Sequence, residues 1–136
     1  MNYAQHITNA CLSTSAKMEA NGFHDDDIFI KDICRTLSRS PGGGKKAEKL
    51  AEIWTINKKL ARIALIHSEL SEAVEAIRKD AMDDKLPHRK GEEVEMADAL
   101  IRMEDYCGTY ELSLGAARNE KELYNDTRPY KHGKSV

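Results

Sequence analysis

The chain contains few residues of several types, and each of these low counts excludes a class of protein. Its 136 residues include 3 Pro, 8 Gly and 6% aromatic residues, which disfavours a many-stranded β fold. No segment approaches the ~18 consecutive apolar residues of a membrane span. The first residues also lack the basic and apolar regions of a signal peptide. We therefore expect a cytoplasmic protein with no membrane partner.

Cysteine and net charge are low as well. Cys11, Cys34 and Cys107 lie far apart and form no CxxC pair, so neither a zinc site nor a disulfide framework is indicated. The 21 basic and 23 acidic residues give a net charge of −2. A protein that binds nucleic acid through bulk positive charge is therefore disfavoured.

Apolar residues at helical spacing predict an all-α fold. We expect helices over about residues 3–21, 25–37, 45–80, 92–106 and 114–127. Long helices with short connections predict one domain over residues 1–136, an antiparallel helical bundle completed by oligomerisation. Its parts would be N-terminal helices (1–44), a long helix pair (about 45–111), and a C-terminal helix and tail (about 114–136).

Both long helices carry an apolar stripe. The residues that recur at steps of three or four are Ile53, Ile56, Leu60, Ile63, Leu70, Val74 and Ile77 on the first, and Met96, Leu100 and Met103 on the second. Such stripes normally face a core or a partner helix.

Four acidic residues stand out on the same two helices. Glu69 and Glu72 are three residues apart, and Glu95 and Asp98 repeat this spacing. Residues three apart project from one helix face. If the helices pack antiparallel, four carboxylates can converge, and they would repel one another unless a cation lies between them. Carboxylate oxygens suit Mg²⁺ or Mn²⁺. Solvated helix charge is the simpler alternative, with Asp98 and Arg102, or Glu75 and Lys79, as surface pairs.

The C-terminal segment carries a basic edge. Lys121, Asn125, Arg128 and Lys131 recur at steps of three or four. Arg and Lys bind phosphate oxygens, although a solvated helix end carries similar residues. An acidic cluster and a separate basic edge together suit a metal–polyphosphate site.

These segments resemble one family. Residues 66–76 (IHSELSEAVEA) and 95–102 (EMADALIR) resemble the EExxE…ExxD signature of MazG-like, all-α nucleoside triphosphate pyrophosphohydrolases. The C-terminal KELYNDTRPYKHGK, residues 121–134, is similar to the ending of a small single-domain branch. One position differs, since Ser68 replaces the first Glu of the signature.

The resemblance implies an activity and a site. Members cleave nucleoside triphosphates to the monophosphate and pyrophosphate, and work as homodimers or homotetramers. By this resemblance the Mg²⁺ ligands would be Glu69, Glu72, Glu95 and Asp98. Glu69 or Glu72 would orient or deprotonate the attacking water. The phosphate chain would contact Lys121, Asn125 and Arg128, with Lys131 or Lys134 as helpers. Apart from the resemblance, we expect Trp54, with Phe23 and His24, to flank the base, with core packing as the alternative role of Trp54.

Two other functions are compatible with the sequence. The chain could be a non-catalytic helical dimerisation or regulatory module, because apolar stripes on a small bundle need only a partner. Within the enzyme class, the same scaffold could act on phosphoribosyl-ATP or another nucleotide derivative.

Overall fold

The computed structural model describes residues 2–129. This part of the chain forms five α-helices and no strand, with one isolated β-bridge between Met82 and Lys90. The helices are α1 (Tyr3–Ala20), α2 (Asp25–Ser38), α3 (Gly43–Lys79), α4 (Gly91–Thr109) and α5 (Leu114–Asp126). The predicted all-α class is confirmed, and the predicted bounds agree within about three residues.

Local sequence signals account for several helix ends. The Asn2 side chain caps α1 by accepting a 2.9 Å hydrogen bond from the backbone N–H of Gln5. Asp25, Asp26 and Asp27 occupy the first turn of α2, where the helix dipole favours negative charge. At the end of α3, Asp80 adopts a left-handed conformation with φ 47°, a geometry that stops a helix.

The helices pack as a chain of antiparallel neighbours. Helix α3 packs against both α4 and α2, α1 packs against α4, and α5 packs against α1. The α1–α4 crossing is close at Gly108, where a Cβ would lie 2.3 Å from the carbonyl oxygen of Cys11. The α1–α5 crossing is equally close at Gly115, where a Cβ would lie 2.2 Å from the carbonyl oxygen of Ala4. Glycine at these two positions lets the helix backbones touch.

The buried apolar core is small. Its members in the described part of the chain are Cys11, Ala47, Ile66, Ala73, Ala99 and Cys107. No large side chain is fully buried there.

The apolar stripes lie on the surface of the single chain. Leu60 is 64% exposed, Ile77 60% and Leu100 54%. These stripes therefore do not form a core within the single chain. The contacts between α3 and α4 include the ion pairs of Glu69 with Arg102 and of Arg62 with Asp105. The stripes are available to a further helix surface. None of the described helices has the length and apolar character needed to cross a membrane.

Candidate functional site

An acidic cluster lies where α3 and α4 face each other. Carboxylate oxygens of Glu69, Glu95 and Asp98 all lie within 4.8 Å of one another. Glu69 comes from α3, and the other two come from the first half of α4. The antiparallel packing predicted from the two acidic pairs therefore brings three of the four acids together.

The fourth acid stands at the edge of this cluster. Glu72 is exposed, and its Oε1 accepts a 3.3 Å hydrogen bond from the Ser68 hydroxyl. It is close enough to Glu95 for its charge to raise the pKa of that residue. The Ser68 hydroxyl thus orients the Glu72 carboxylate.

The electrostatics of the cluster favour a cation. Burial raises the pKa of Glu95 above its ordinary value of 4.5, and the neighbouring Glu72, Glu69 and Asp98 raise it further. Repulsion of this kind marks a site that holds more negative charge than it can neutralise.

Arg102 supplies part of the missing positive charge. Its Nε donates to Oε1 of Glu69 at 2.5 Å. A surface pair of Arg102 with Asp98 was the simpler alternative from the sequence, but the structure pairs Arg102 with the buried Glu69. Lys79 and Glu75, by contrast, form the expected surface pair at 3.0 Å.

The donor set fits a small divalent cation. Three hard carboxylate oxygens are the ligand type that Mg²⁺ and Mn²⁺ take in proteins. At Mg–O distances of about 2.0–2.1 Å, two oxygens around one ion are at most about 4.2 Å apart. The observed limit of 4.8 Å requires only a small closure of the side chains.

Trp54 lies away from the acids within one chain. It precedes Glu69 by 15 residues on the same helix, which is about 22 Å along the axis. Its Nε1 donates to Oδ1 of Asp27 at 2.8 Å. Together with Tyr110 it lines a cavity of about 250 Å³ between α2, α3 and the end of α4.

Lys121 and Asn125 on α5, and Arg128 just after it, also lie far from the acids. Lys121 Nζ lies 4.7 Å from the centre of the Tyr124 ring, and Arg128 Cζ lies 6.0 Å from the same ring centre. Asn125 lies beside them, and its buried Oδ1 has no hydrogen-bond partner in the described structure. Lys131 and Lys134 lie outside the described residues.

The path of the helices shows why the acids and the α5 edge are separate. Helix α1 crosses α4 at Gly108, ten residues and about 15 Å beyond Asp98. Helix α5 meets the other end of α1, with Gly115 at Ala4 and then Arg118 at 4.4 Å over the Tyr3 ring. It therefore runs away from the acidic cluster.

A buried polar network next to the site was not predicted from the sequence. Arg62 donates from Nη2 to Asp27 at 3.0 Å and from Nη1 to Thr109 at 2.9 Å. It also forms an ion pair with Asp105 at 3.4 Å, and His24 contacts the same carboxylate at 2.9 Å. His24 thus ties the start of α2 to α4. Seven-residue spacing from Arg62 to Glu69 and from Asp98 to Asp105 was the available signal, since it places each pair on one helix face.

No family model, curated protein or solved structure matches this chain.

Proposed function

We propose that this protein is a Mg²⁺-dependent nucleoside triphosphate pyrophosphohydrolase of the MazG-like type. The observation that carries the proposal is the meeting of Glu69, Glu95 and Asp98 within 4.8 Å across α3 and α4. The sequence resemblance assigned metal binding to these three residues, and the packing of the helices is what that role requires.

The four acids would have two different roles. Glu69, Glu95 and Asp98, with Glu72 at the edge, would hold Mg²⁺, or Mn²⁺ in its place. The bound ion would supply positive charge to the phosphate oxygens and make a nearby water more acidic. Glu72 is exposed and held by Ser68, so it is the better candidate to orient or deprotonate the water that attacks the α-phosphorus. Pyrophosphate would then leave.

A complete site needs a second copy of the chain. Trp54, the α5 residues Lys121 and Asn125, and Arg128 just after α5 do not reach the acids of their own chain. They can contribute to the same site only if another chain of a homodimer or homotetramer presents them. The exposed apolar stripes on α3 and α4 are the surfaces through which such copies would associate.

The experiment is a nucleotide panel with Mg²⁺, in which release of pyrophosphate and orthophosphate is measured separately. We expect pyrophosphate and the monophosphate as products. Glu72→Gln should lower turnover by about 10²–10⁴-fold, the range for loss of a general base, and Asp98→Asn should also abolish most activity. Glu52→Gln is the matched control, because Glu52 is exposed on the same helix, far from the acids, and its ion pair in the described part of the chain is with Lys49.

Full turnover in both Glu72→Gln and Asp98→Asn would contradict the proposal. The non-catalytic module, which the exposed stripes alone would also suit, predicts no release of pyrophosphate. It further predicts no change in melting temperature with Mg²⁺ and a non-hydrolysable nucleotide. A ligand at 100 times its Kd should stabilise the enzyme by about 2.7 kcal/mol.

A further inference from the structure

Arg102 stands between the acidic cluster and a neighbouring cavity. Its Nε donates to Glu69, whose side chain is only 8% exposed, while its own side chain is 35% exposed. It also lines a cavity of about 110 Å³ formed by α1, α3, α4 and the turn before α2. A single side chain therefore contacts a predicted metal ligand and borders space that a ligand could enter.

Most hydrogen-bonding capacity of Arg102 is unused. A guanidinium has five N–H donors, and Arg102 commits only Nε within residues 2–129. Arg62, which lines the same cavity, differs because both of its terminal nitrogens are bonded, to Asp27, Asp105 and Thr109. The two terminal nitrogens of Arg102 present the planar fork that fits two oxygens of one phosphate.

The cavity has a cationic lining. Lys58, Arg62 and Arg102 face it with one acid, Asp105. Lys58 is already paired with Asp26, and Arg62 with two aspartates. Of these three cations, Arg102 is the one whose terminal nitrogens make no hydrogen bond within residues 2–129, so both can donate to an incoming anion.

We propose that Arg102 is a substrate-binding residue that contacts the phosphate chain from the same chain as the acids. Its Nε holds Glu69 in place, and its terminal N–H groups donate to phosphate oxygens of a nucleotide bound beside the cluster. This inference rests on the proposed function for the identity of the ligand. It adds a phosphate contact that needs no second copy, unlike the residues on α5.

The test compares binding of inorganic pyrophosphate, measured calorimetrically with Mn²⁺ present, with binding of Mn²⁺ alone, measured by electron paramagnetic resonance. Arg102→Gln should weaken pyrophosphate binding by about 10- to 100-fold, the loss expected for a charge-assisted hydrogen bond. The affinity for Mn²⁺ alone should change much less, because the glutamine amide can still donate a hydrogen bond to the Glu69 carboxylate. Arg35→Gln is the control and should change neither affinity, since Arg35 pairs only with Asp32 on the surface of α2.

Arg102→Lys is a second variant in case Arg102→Gln does not fold, because lysine keeps a positive charge beside the buried Glu69. It should bind Mn²⁺ normally and pyrophosphate less well, since an ammonium group cannot bond the carboxylate and a phosphate as a fork.

Unchanged pyrophosphate binding in Arg102→Gln would overturn the inference. So would an equal loss of Mn²⁺ and pyrophosphate affinity, which would mean that Arg102 only positions Glu69. Wild-type protein that does not bind pyrophosphate would also overturn it. Pyrophosphate binding that depends on Arg102, without nucleotide cleavage, would support the inference and contradict the proposed function.

Discussion

At the scale of single residues, Glu95 shows how a site can cost stability. Burial and three neighbouring carboxylates raise its pKa, so the folded chain keeps a proton on Glu95 at pH values where the unfolded chain has lost it. Stability then falls as the pH rises upward from the ordinary value of 4.5, since the unfolded state binds fewer protons over that range. The ionised Glu95 is therefore an unfavourable feature of the metal-free protein at neutral pH.

We expect Glu95→Gln to raise the melting temperature of the metal-free protein at pH 7 by a few degrees and to flatten this part of its pH dependence. The reason is that the amide removes one charge from the repelling group. Thermal unfolding followed by circular dichroism across pH 4–8 measures both effects. Glu92→Gln is the control, since Glu92 lies in the first turn of the same helix, where its charge is favourable. A lower melting temperature for Glu95→Gln would show that the repulsion is not present.

The candidate site was predictable from sequence only in part. Spacing of three residues on two consecutive helices identified Glu69, Glu95 and Asp98, because helix geometry fixes which side chains share a face. The partner of Arg102 was not predictable in this way. Asp98 precedes it by four residues, but the rotation of α4 against α3 directs it to Glu69, and that rotation depends on how the whole bundle packs.

At the scale of the elements, small residues at the crossings set how closely the helices approach. Gly108 lies where α1 meets α4, and a Cβ there would be 2.3 Å from the Cys11 carbonyl oxygen and 2.6 Å from the Ser15 Cβ. Neither neighbour is the flexible end of a long side chain. The two helices can therefore accept a methyl group only by moving apart.

We expect Gly108→Ala to destabilise the protein by about 1–3 kcal/mol, the usual cost of overpacking. Urea unfolding should show a lower midpoint. Gly44→Ala provides the opposite expectation: a Cβ there meets nothing within 4 Å, and alanine is favoured over glycine in a helix by about 0.5–1 kcal/mol. If both variants lose stability equally, close approach of the backbones at Gly108 is not the reason.

Helix positions were more predictable than helix contacts. Capping residues, Gly and Pro, and apolar periodicity act locally, so the sequence marks where α1 to α5 begin and end. Which surfaces meet is decided by competition among all the helix faces. Leu60 and Val74 of the α3 stripe are exposed, whereas Arg62 and Glu69 of the same helix form ion pairs with α4.

At the scale of the whole molecule, the chain exposes more surface than a folded monomer of its size normally does. Its accessible surface is 10089 Å² for a mass of 15.3 kDa. A typical monomer of that mass exposes about 7,100 Å². The excess of about 3,000 Å² per chain is about 6,000 Å² for two chains, at the upper end of the 2,000–5,000 Å² and more that obligate homo-oligomers bury over both partners. Many of the exposed large hydrophobic residues belong to the apolar stripes. We therefore expect the stripes to form the contact between copies.

We therefore expect the purified protein to be a dimer or tetramer at micromolar concentration, and Leu60→Glu to shift it towards the monomer. Leu60 is 64% exposed in the single chain, so a charge there costs little unless another copy covers it. Burying that unpaired carboxylate in an apolar contact would cost several kcal/mol, enough to dissociate a micromolar complex. Ser13→Glu, at an exposed position on α1 outside both apolar stripes, controls for the added charge. Light scattering coupled to size exclusion gives the masses. A monomeric wild type, or a Leu60→Glu variant with unchanged mass, would exclude this surface. Association through this surface could then not bring Trp54 and the α5 residues next to the acids of another copy.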